Sequence, residues 1–145
     1  MSYTVMDSLP FPRNWRAIPG AKAIIARVFA LASARSELDE FGRLAQGNLG
    51  VLQGMIPAED PDLRARLMAE TDALVERELF GLTKDELHYV LDPDNVLGDG
   101  SGIETFKALR NREKRQFGEY RTQRLVLEAW DRFAGDGTLA PSAAQ

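Results

Sequence analysis

The most restrictive feature of the sequence is a helix start at Thr83. Thr83 and Glu86 have the spacing of a capping box, in which each side chain bonds the backbone N–H of the other residue. Leu82 and Leu87 lie on either side of this start, at the positions of a hydrophobic staple. Gly81 precedes them and suits the left-handed conformation that ends many helices. The sequence therefore predicts two helices joined tightly near residue 82.

Start signals and apolar residues at helical spacing recur along most of the chain. Asp60 and Pro61 form an N-cap followed by a proline at the first helical position. Residues 92–102 are rich in Asp and Gly, which predicts a turn. The expected fold class is mainly α, with five or six helices in an irregular bundle. The helices are predicted over 20–35, 36–46, 61–80, 83–91, 102–116 and 119–134.

The chain of 145 residues has the length of one domain. We expect residues 1–20 to form an extended arm or connector from an upstream region, because Pro10, Pro12 and Pro19 disfavour a helix. The start of this arm can form a short strand. Residues 21–134 are expected to be the helical domain, and residues 135–145 a frayed tail of small and polar residues.

The composition excludes several classes of site. The chain has no cysteine, which excludes disulfides, thiolate metal sites and a cysteine nucleophile. His88 is the single histidine, and its place in a helix between two apolar residues indicates a partly buried structural residue. No secretory signal or membrane span is recognisable, so we expect a cytoplasmic protein without membrane contact. No catalytic residue, metal ligand or cofactor site is predicted in this chain.

Three acidic or glycine-rich segments are candidate ligand sites. An EF-hand starting at Asp92 would need an acid at Val96 and a glycine at Leu97, so the calcium pattern fails. Residues 99–102 precede a predicted helix but lack the spacing and the lysine of a phosphate-binding loop. The acids at 37–40 fall in a first helical turn, where the helix dipole favours them. All three segments have simpler structural interpretations.

Positive charge is concentrated in one segment. The whole chain has a net charge of −4, but residues 104–124 contain seven basic and three acidic side chains. A local basic stripe on an acidic domain can bind phosphate, whereas the alternative is a solvated helix face that these acids partly neutralise. The rings of Phe106, Phe117 and Tyr120 are expected in the core. The candidate phosphate-binding residues are Lys107, Arg110, Lys114, Arg121 and Arg124.

Four segments carry a family likeness. Residues 79–92 read Leu-Phe-Gly-Leu-Thr-Lys-Asp-Glu-Leu-His-Tyr-Val-Leu-Asp and follow Thr-Asp-Ala-Leu-Val at 71–75. Residues 117–129 read Phe-Gly-Glu-Tyr-Arg-Thr-Gln-Arg-Leu-Val-Leu-Glu-Ala. Residues 3–12 end in Leu-Pro-Phe-Pro. In this order the segments resemble the C-terminal end of adenine-specific DNA methyltransferases of restriction–modification systems, of the type IIG-like kind, and of related phage-defence methylases.

The resemblance implies a noncatalytic C-terminal domain that assists DNA engagement or braces the target-recognition region. Its implied partners are double-stranded DNA and the upstream methyltransferase region. S-adenosylmethionine is the cofactor implied for the parent enzyme, but the family's cofactor-binding and Asn/Asp-Pro-Pro-Tyr/Phe motifs are missing, since no Pro-Pro dipeptide occurs. The alternative is a purely structural or oligomerisation module without nucleic-acid contact.

Overall fold

Six α-helices make up most of the part of the chain that the structure describes. The structure is a computed structural model and describes residues 14–32, 58–98 and 106–135. The mainly α class is confirmed for these residues, whereas the predicted N-terminal strand, the helix at 36–46 and the tail lie outside them. The helices are α1 (Ala21–Ala32), α2 (Pro61–Leu74), α3 (Lys84–Leu91), α4 (Pro93–Leu97), α5 (Lys107–Phe117) and α6 (Arg121–Gly135).

The helix boundaries follow the local signals in the sequence. The Asp60 carboxylate accepts a hydrogen bond of 2.6 Å from the backbone N–H of Leu63, which caps α2. Thr83 and Glu86 form the predicted capping box at the start of α3, with both bonds present. Gly81 has a φ of 68°, a left-handed conformation that suits glycine. The tight connection predicted near residue 82 is therefore confirmed.

The core lies where α2 and α6 pack along each other. α1 packs against α2, while α3 and α5 pack against α6. A second, smaller cluster joins Ala30, Ala58, Leu63 and Leu67 between α1 and α2. The helix α6 contacts α2, α3 and α5, and α2 in turn contacts α1. The main cluster consists of Ala69, Ala73, Leu74, Leu87, Leu91, Val126, Ala129, Trp130 and Phe133.

A buried ionic network also joins α1, α2 and α6. Arg27 is fully buried, and its Nε lies 2.7 Å from Oε2 of Glu70. Nη2 of Arg132 lies 2.7 Å from the other carboxylate oxygen, Oε1. Both guanidinium groups lie against the Phe133 ring. Burial lowers the pKa of Arg27, and the adjacent Glu70 carboxylate opposes this shift.

Two local structures differ from the prediction. The segment predicted as a turn after Asp92 contains the short helix α4, because Pro93 has a fixed φ that suits a first helical position. The helix α2 continues into a π-helical turn, Val75–Leu79, in which the N–H of Phe80 bonds the carbonyl of Val75. Helical periodicity alone does not reveal such a widened turn, because the apolar residues keep nearly the same spacing.

Candidate nucleic-acid interface

The helix α5 carries most of the basic run and is fixed at its C-terminal end. Gly118 ends it in the left-handed conformation with a φ of 78°. Glu113, the one acidic residue of α5, is buried and accepts bonds of 2.7 Å from both the N–H and the hydroxyl of Thr122. Glu113 thereby caps the start of α6. Its carboxylate points into the fold and accepts these hydrogen bonds there. Glu113 is therefore not part of the exposed face of α5.

Arg110 binds two aspartates on the side of α5 that faces α4. Its Nη1 lies 2.5 Å from Oδ1 of Asp92, and its Nη2 lies 3.1 Å from Oδ2 of Asp94. Only 14% of the Arg110 side chain is exposed. These hydrogen bonds, the one to Asp94 first, raise the pKa of Arg110. Because its side chain binds Arg110, Asp92 does not cap α4. Arg110 therefore stabilises the contact between α5 and the start of α4.

Two further candidates, both on α6, also bind carboxylates of the same chain. Nη2 of Arg121 lies 2.8 Å from Oδ1 of Asp62, and its guanidinium group lies over the Phe117 ring. Nε of Arg124 lies 3.0 Å from Oε2 of Glu119, and its Nη1 lies 2.9 Å from Oε1 of Glu128. Three of the five candidate phosphate-binding residues are therefore paired within the fold.

The other two candidates, Lys107 and Lys114, lie exposed on the outer face of α5. At about 100° per residue, Asn111 and Arg115 fall in the same arc, which spans roughly 100°. Arg115 is exposed and was not among the candidates; neither it nor Lys114 has a carboxylate partner among the described residues. We call Lys107, Lys114 and Arg115 the outer cations. The predicted phosphate-binding residues included Lys107, Arg110 and Lys114 but not Arg115, although Arg115 belongs to the same basic run.

The aromatic residues near α5 are partly exposed. Phe106 and Phe117 are 37% and 44% exposed, so the prediction that both belong to the core is wrong. Each lies at an end of α5, and the Phe117 ring is partly covered by the Arg121 guanidinium group of α6. Tyr120 is buried as predicted, and burial is the main cause that raises the pKa of its hydroxyl to about 12.

The remaining candidates that the structure describes have structural roles, whereas residues 37–40 and 99–102 lie outside the described residues. His88 is half-buried on α3, as predicted for a structural histidine. Asp92 and Asp94 bind Arg110, which leaves them unsuited to calcium. Residues 14–32, 58–98 and 106–135 contain no group of three His, Cys, Asp or Glu that could hold a metal ion. Over the same ranges no helix is both long enough and apolar enough to cross a bilayer.

Neither a family model nor any curated protein or solved structure matches this chain.

Proposed function

We propose that this chain is a noncatalytic domain of a DNA adenine N6-methyltransferase of a restriction–modification or phage-defence system. In this proposal the domain assists DNA engagement through the outer cations of α5. The observation that carries the proposal is the exposed pair Lys114 and Arg115, which no described carboxylate neutralises, beside the exposed Lys107. Exposed basic side chains along one helix face can bind successive phosphates of a nucleic-acid backbone.

The geometry of α5 supports a contact with phosphate rather than with bases. An α-helix rises 1.5 Å per residue, so Lys107 and Lys114 are separated by about 10 Å along the axis. Phosphates of one DNA strand are spaced about 3.4 Å apart along the duplex axis, so the outer cations can follow about three of them. Lysine and arginine bind phosphate without reading sequence. We therefore expect weak binding with little sequence preference.

The segments that resemble the family support a bracing role for the rest of the domain. Residues 79–92 supply the end of the π-helical turn, the left-handed Gly81 and the capping box at Thr83. Residues 117–129 supply the left-handed Gly118 and most of α6. Both segments contain the boundaries and much of the length of helices, namely α3 in the first segment and α6 in the second. In the proposal, S-adenosylmethionine binding and methyl transfer belong to the upstream part of the parent enzyme.

The proposal is tested by binding of the chain to a fluorescent duplex of about thirty base pairs, measured by anisotropy over a salt series. Contact with three phosphates predicts that affinity falls about 40-fold between roughly 50 and 200 mM salt. Affinities for two duplexes of unrelated sequence should agree within a factor of about three. Absence of binding at the lowest salt, or binding that does not depend on salt, would contradict the proposal.

A second candidate function is a purely structural or oligomerisation module. The pairing of Arg110, Arg121 and Arg124 with carboxylates favours it, because these side chains already have partners. The oligomerisation version predicts that the mass of the chain rises with concentration in sedimentation equilibrium. A chain that remains monomeric and binds the duplex with the expected salt dependence supports DNA engagement instead.

A further inference from the structure

The exposed face of α5 is broader than the arc of the outer cations. Arg112 is exposed, and it lies about 160° around the helix axis from Lys114, because residues two positions apart are on nearly opposite sides of a helix. The one acidic residue of α5, Glu113, is buried. The exposed face of α5 therefore carries the outer cations and Arg112, and it carries no carboxylate.

The packing of the helices separates these charges onto two sides of α5. Arg112 lines a cavity between α2 and α5, which none of the outer cations lines. Lys107 and Lys114 lie three and four positions from Arg110, and so beside it on the helix surface. Arg110 binds Asp94 of α4. The exposed face of α5 thus extends from the side near α4, where the two lysines lie, to the side near α2, where Arg112 lies.

Arg112 has no carboxylate partner in the part of the chain that the structure describes. Two carboxylates, those of Asp72 and Glu113, line the same cavity. Glu113 accepts its hydrogen bonds from Thr122, and Asp72 forms no ion pair with Arg112. The guanidinium group of Arg112 is therefore available to an anionic ligand, as is that of Arg115 on the neighbouring part of the exposed face.

A single DNA strand cannot contact both sides of α5. The phosphates of one strand follow one line, so they contact the side of a helix that faces this line. The major groove is about 12 Å wide, and an α-helix with its side chains is about 10–12 Å across. A helix in this groove has one strand on each side, whereas the minor groove, about 6 Å wide, is too narrow for it. The charges of α5 are distributed as a helix in the major groove requires.

We propose that α5 lies in the major groove of duplex DNA and contacts phosphates of both strands. Lys107 and Lys114 contact one strand, and Arg112 contacts the other. Arg115 lies between these two sides, and its long side chain can reach a phosphate of either strand. Because the contacts are with phosphates, binding still depends little on sequence. This inference rests on the DNA contact proposed above and adds to it the groove, the second strand and Arg112 as a fourth contact.

The contact of Arg112 is tested with the full 145-residue chain and a fluorescent duplex of about thirty base pairs. A fourth phosphate contact increases the fall in affinity between roughly 50 and 200 mM salt from about 40-fold to about 150-fold. Arg112→Gln should reduce the slope of affinity against salt, on logarithmic axes, by about 0.9. Lys22→Gln is the matched control, because Lys22 is exposed on α1 and the change removes one charge as well. This control should keep the slope.

A modified duplex identifies the groove. Substituents at C5 of a pyrimidine base lie in the major groove. A duplex in which each cytosine carries glucose on a C5 hydroxymethyl group should therefore bind at least about tenfold more weakly, because the sugars exclude α5 from the groove. A duplex of the same sequence with 5-methylcytosine is the control for modification without bulk, and it should bind as the unmodified duplex does.

The outcomes separate this inference from the proposed function. Equal affinity for the glucosylated and unmodified duplexes would overturn the placement of α5 in the major groove. An unchanged salt slope in Arg112→Gln would overturn the contact with the second strand. Either result leaves the DNA contact of the outer cations in place if the unchanged chain still binds the duplex with salt dependence. Absence of salt-dependent binding by the unchanged chain would overturn the DNA contact itself, and this inference with it.

Discussion

The ionic network around Glu70 and the outer cations of α5 use the same residue types in opposite environments. Arg27 is fully buried and Arg132 is partly covered, and the Glu70 carboxylate lies between them, so these charges are fixed parts of the fold. Lys114 and Arg115 are exposed and have no carboxylate partner among the described residues. The comparison shows that the position of the nearest carboxylate decides whether a basic residue stabilises the fold or remains available to a ligand.

The largest effect is expected from Glu70→Gln. This change leaves Arg27 and Arg132 without the carboxylate that compensates their charge, and breaking a buried pair in this way costs about 3–5 kcal/mol. Chemical denaturation should show the loss in the free energy of unfolding. Glu128→Gln is the matched control, because Glu128 forms an exposed pair with Arg124. If both variants lost a similar amount of unfolding free energy, burial would not explain how much an ion pair stabilises this fold.

An intermediate effect is expected from Arg110→Gln. The change leaves Asp92 and Asp94, which are 7% and 11% exposed, without their guanidinium partner. Loss of charge-assisted hydrogen bonds to such carboxylates costs about 1–3 kcal/mol of unfolding free energy. Lys114→Gln, on the same helix, should leave stability unchanged. If instead Arg110→Gln preserves stability and weakens DNA binding more than Lys114→Gln does, Arg110 belongs with the outer cations.

Asp72→Asn should alter how stability depends on pH. The carboxyl of Asp72 has a pKa of about 6 in the folded chain and an ordinary value of 3.8, so the folded state binds its proton more tightly. Protonation of Asp72 therefore stabilises the wild-type chain as pH falls from about 6 towards 4. This stabilisation is lost as pH rises through 6. The variant should therefore be the more stable chain at neutral pH, and the difference should close near pH 4.

Denaturation midpoints of the two chains at several pH values measure this difference. A gap that stays constant between pH 4 and 7 would show that Asp72 has the same pKa in the folded and unfolded states. It would mean that the surroundings of Asp72 do not disfavour the charged form of its carboxyl group.

The smallest effect is expected from Arg124→Gln. Arg124 bonds Glu119 and Glu128, but all three side chains are more than 40% exposed. Exposed pairs contribute little to stability because water and salt screen them and because two long side chains must be ordered. The unfolding free energy should change by no more than the error of the measurement. A loss as large as that of Arg110→Gln would show that exposure does not distinguish the two arginines.

The helices could be predicted from the sequence because their signals are local. Asp60, Thr83, Gly81 and Gly118 act within one helical turn of the boundary that they define, so spacing along the chain is enough to identify them. The π-helical turn and the short helix α4 were missed. Neither changes the apolar pattern on which the prediction depended.

The candidate site could be predicted only in part because its distinguishing contacts are distant in sequence. Arg121 pairs with Asp62 across 59 positions, and Arg27 pairs with Glu70 across 43. No spacing rule relates such residues, so the sequence placed Arg110 and Arg121 with Lys107 and Lys114. Arg124 differs, because it pairs with Glu128 at i, i+4, a spacing that the sequence does show.

The most direct test compares two triple variants that remove the same amount of charge. One replaces Lys107, Lys114 and Arg115 with glutamine; the other replaces Lys22, Lys84 and Arg124, which are exposed outside α5. We predict that the first variant loses nearly all of the salt dependence of duplex binding, a slope change of about three on logarithmic axes. The second should keep most of it. Equal losses in the two variants would contradict the claim that the outer face of α5 is the DNA-contacting surface.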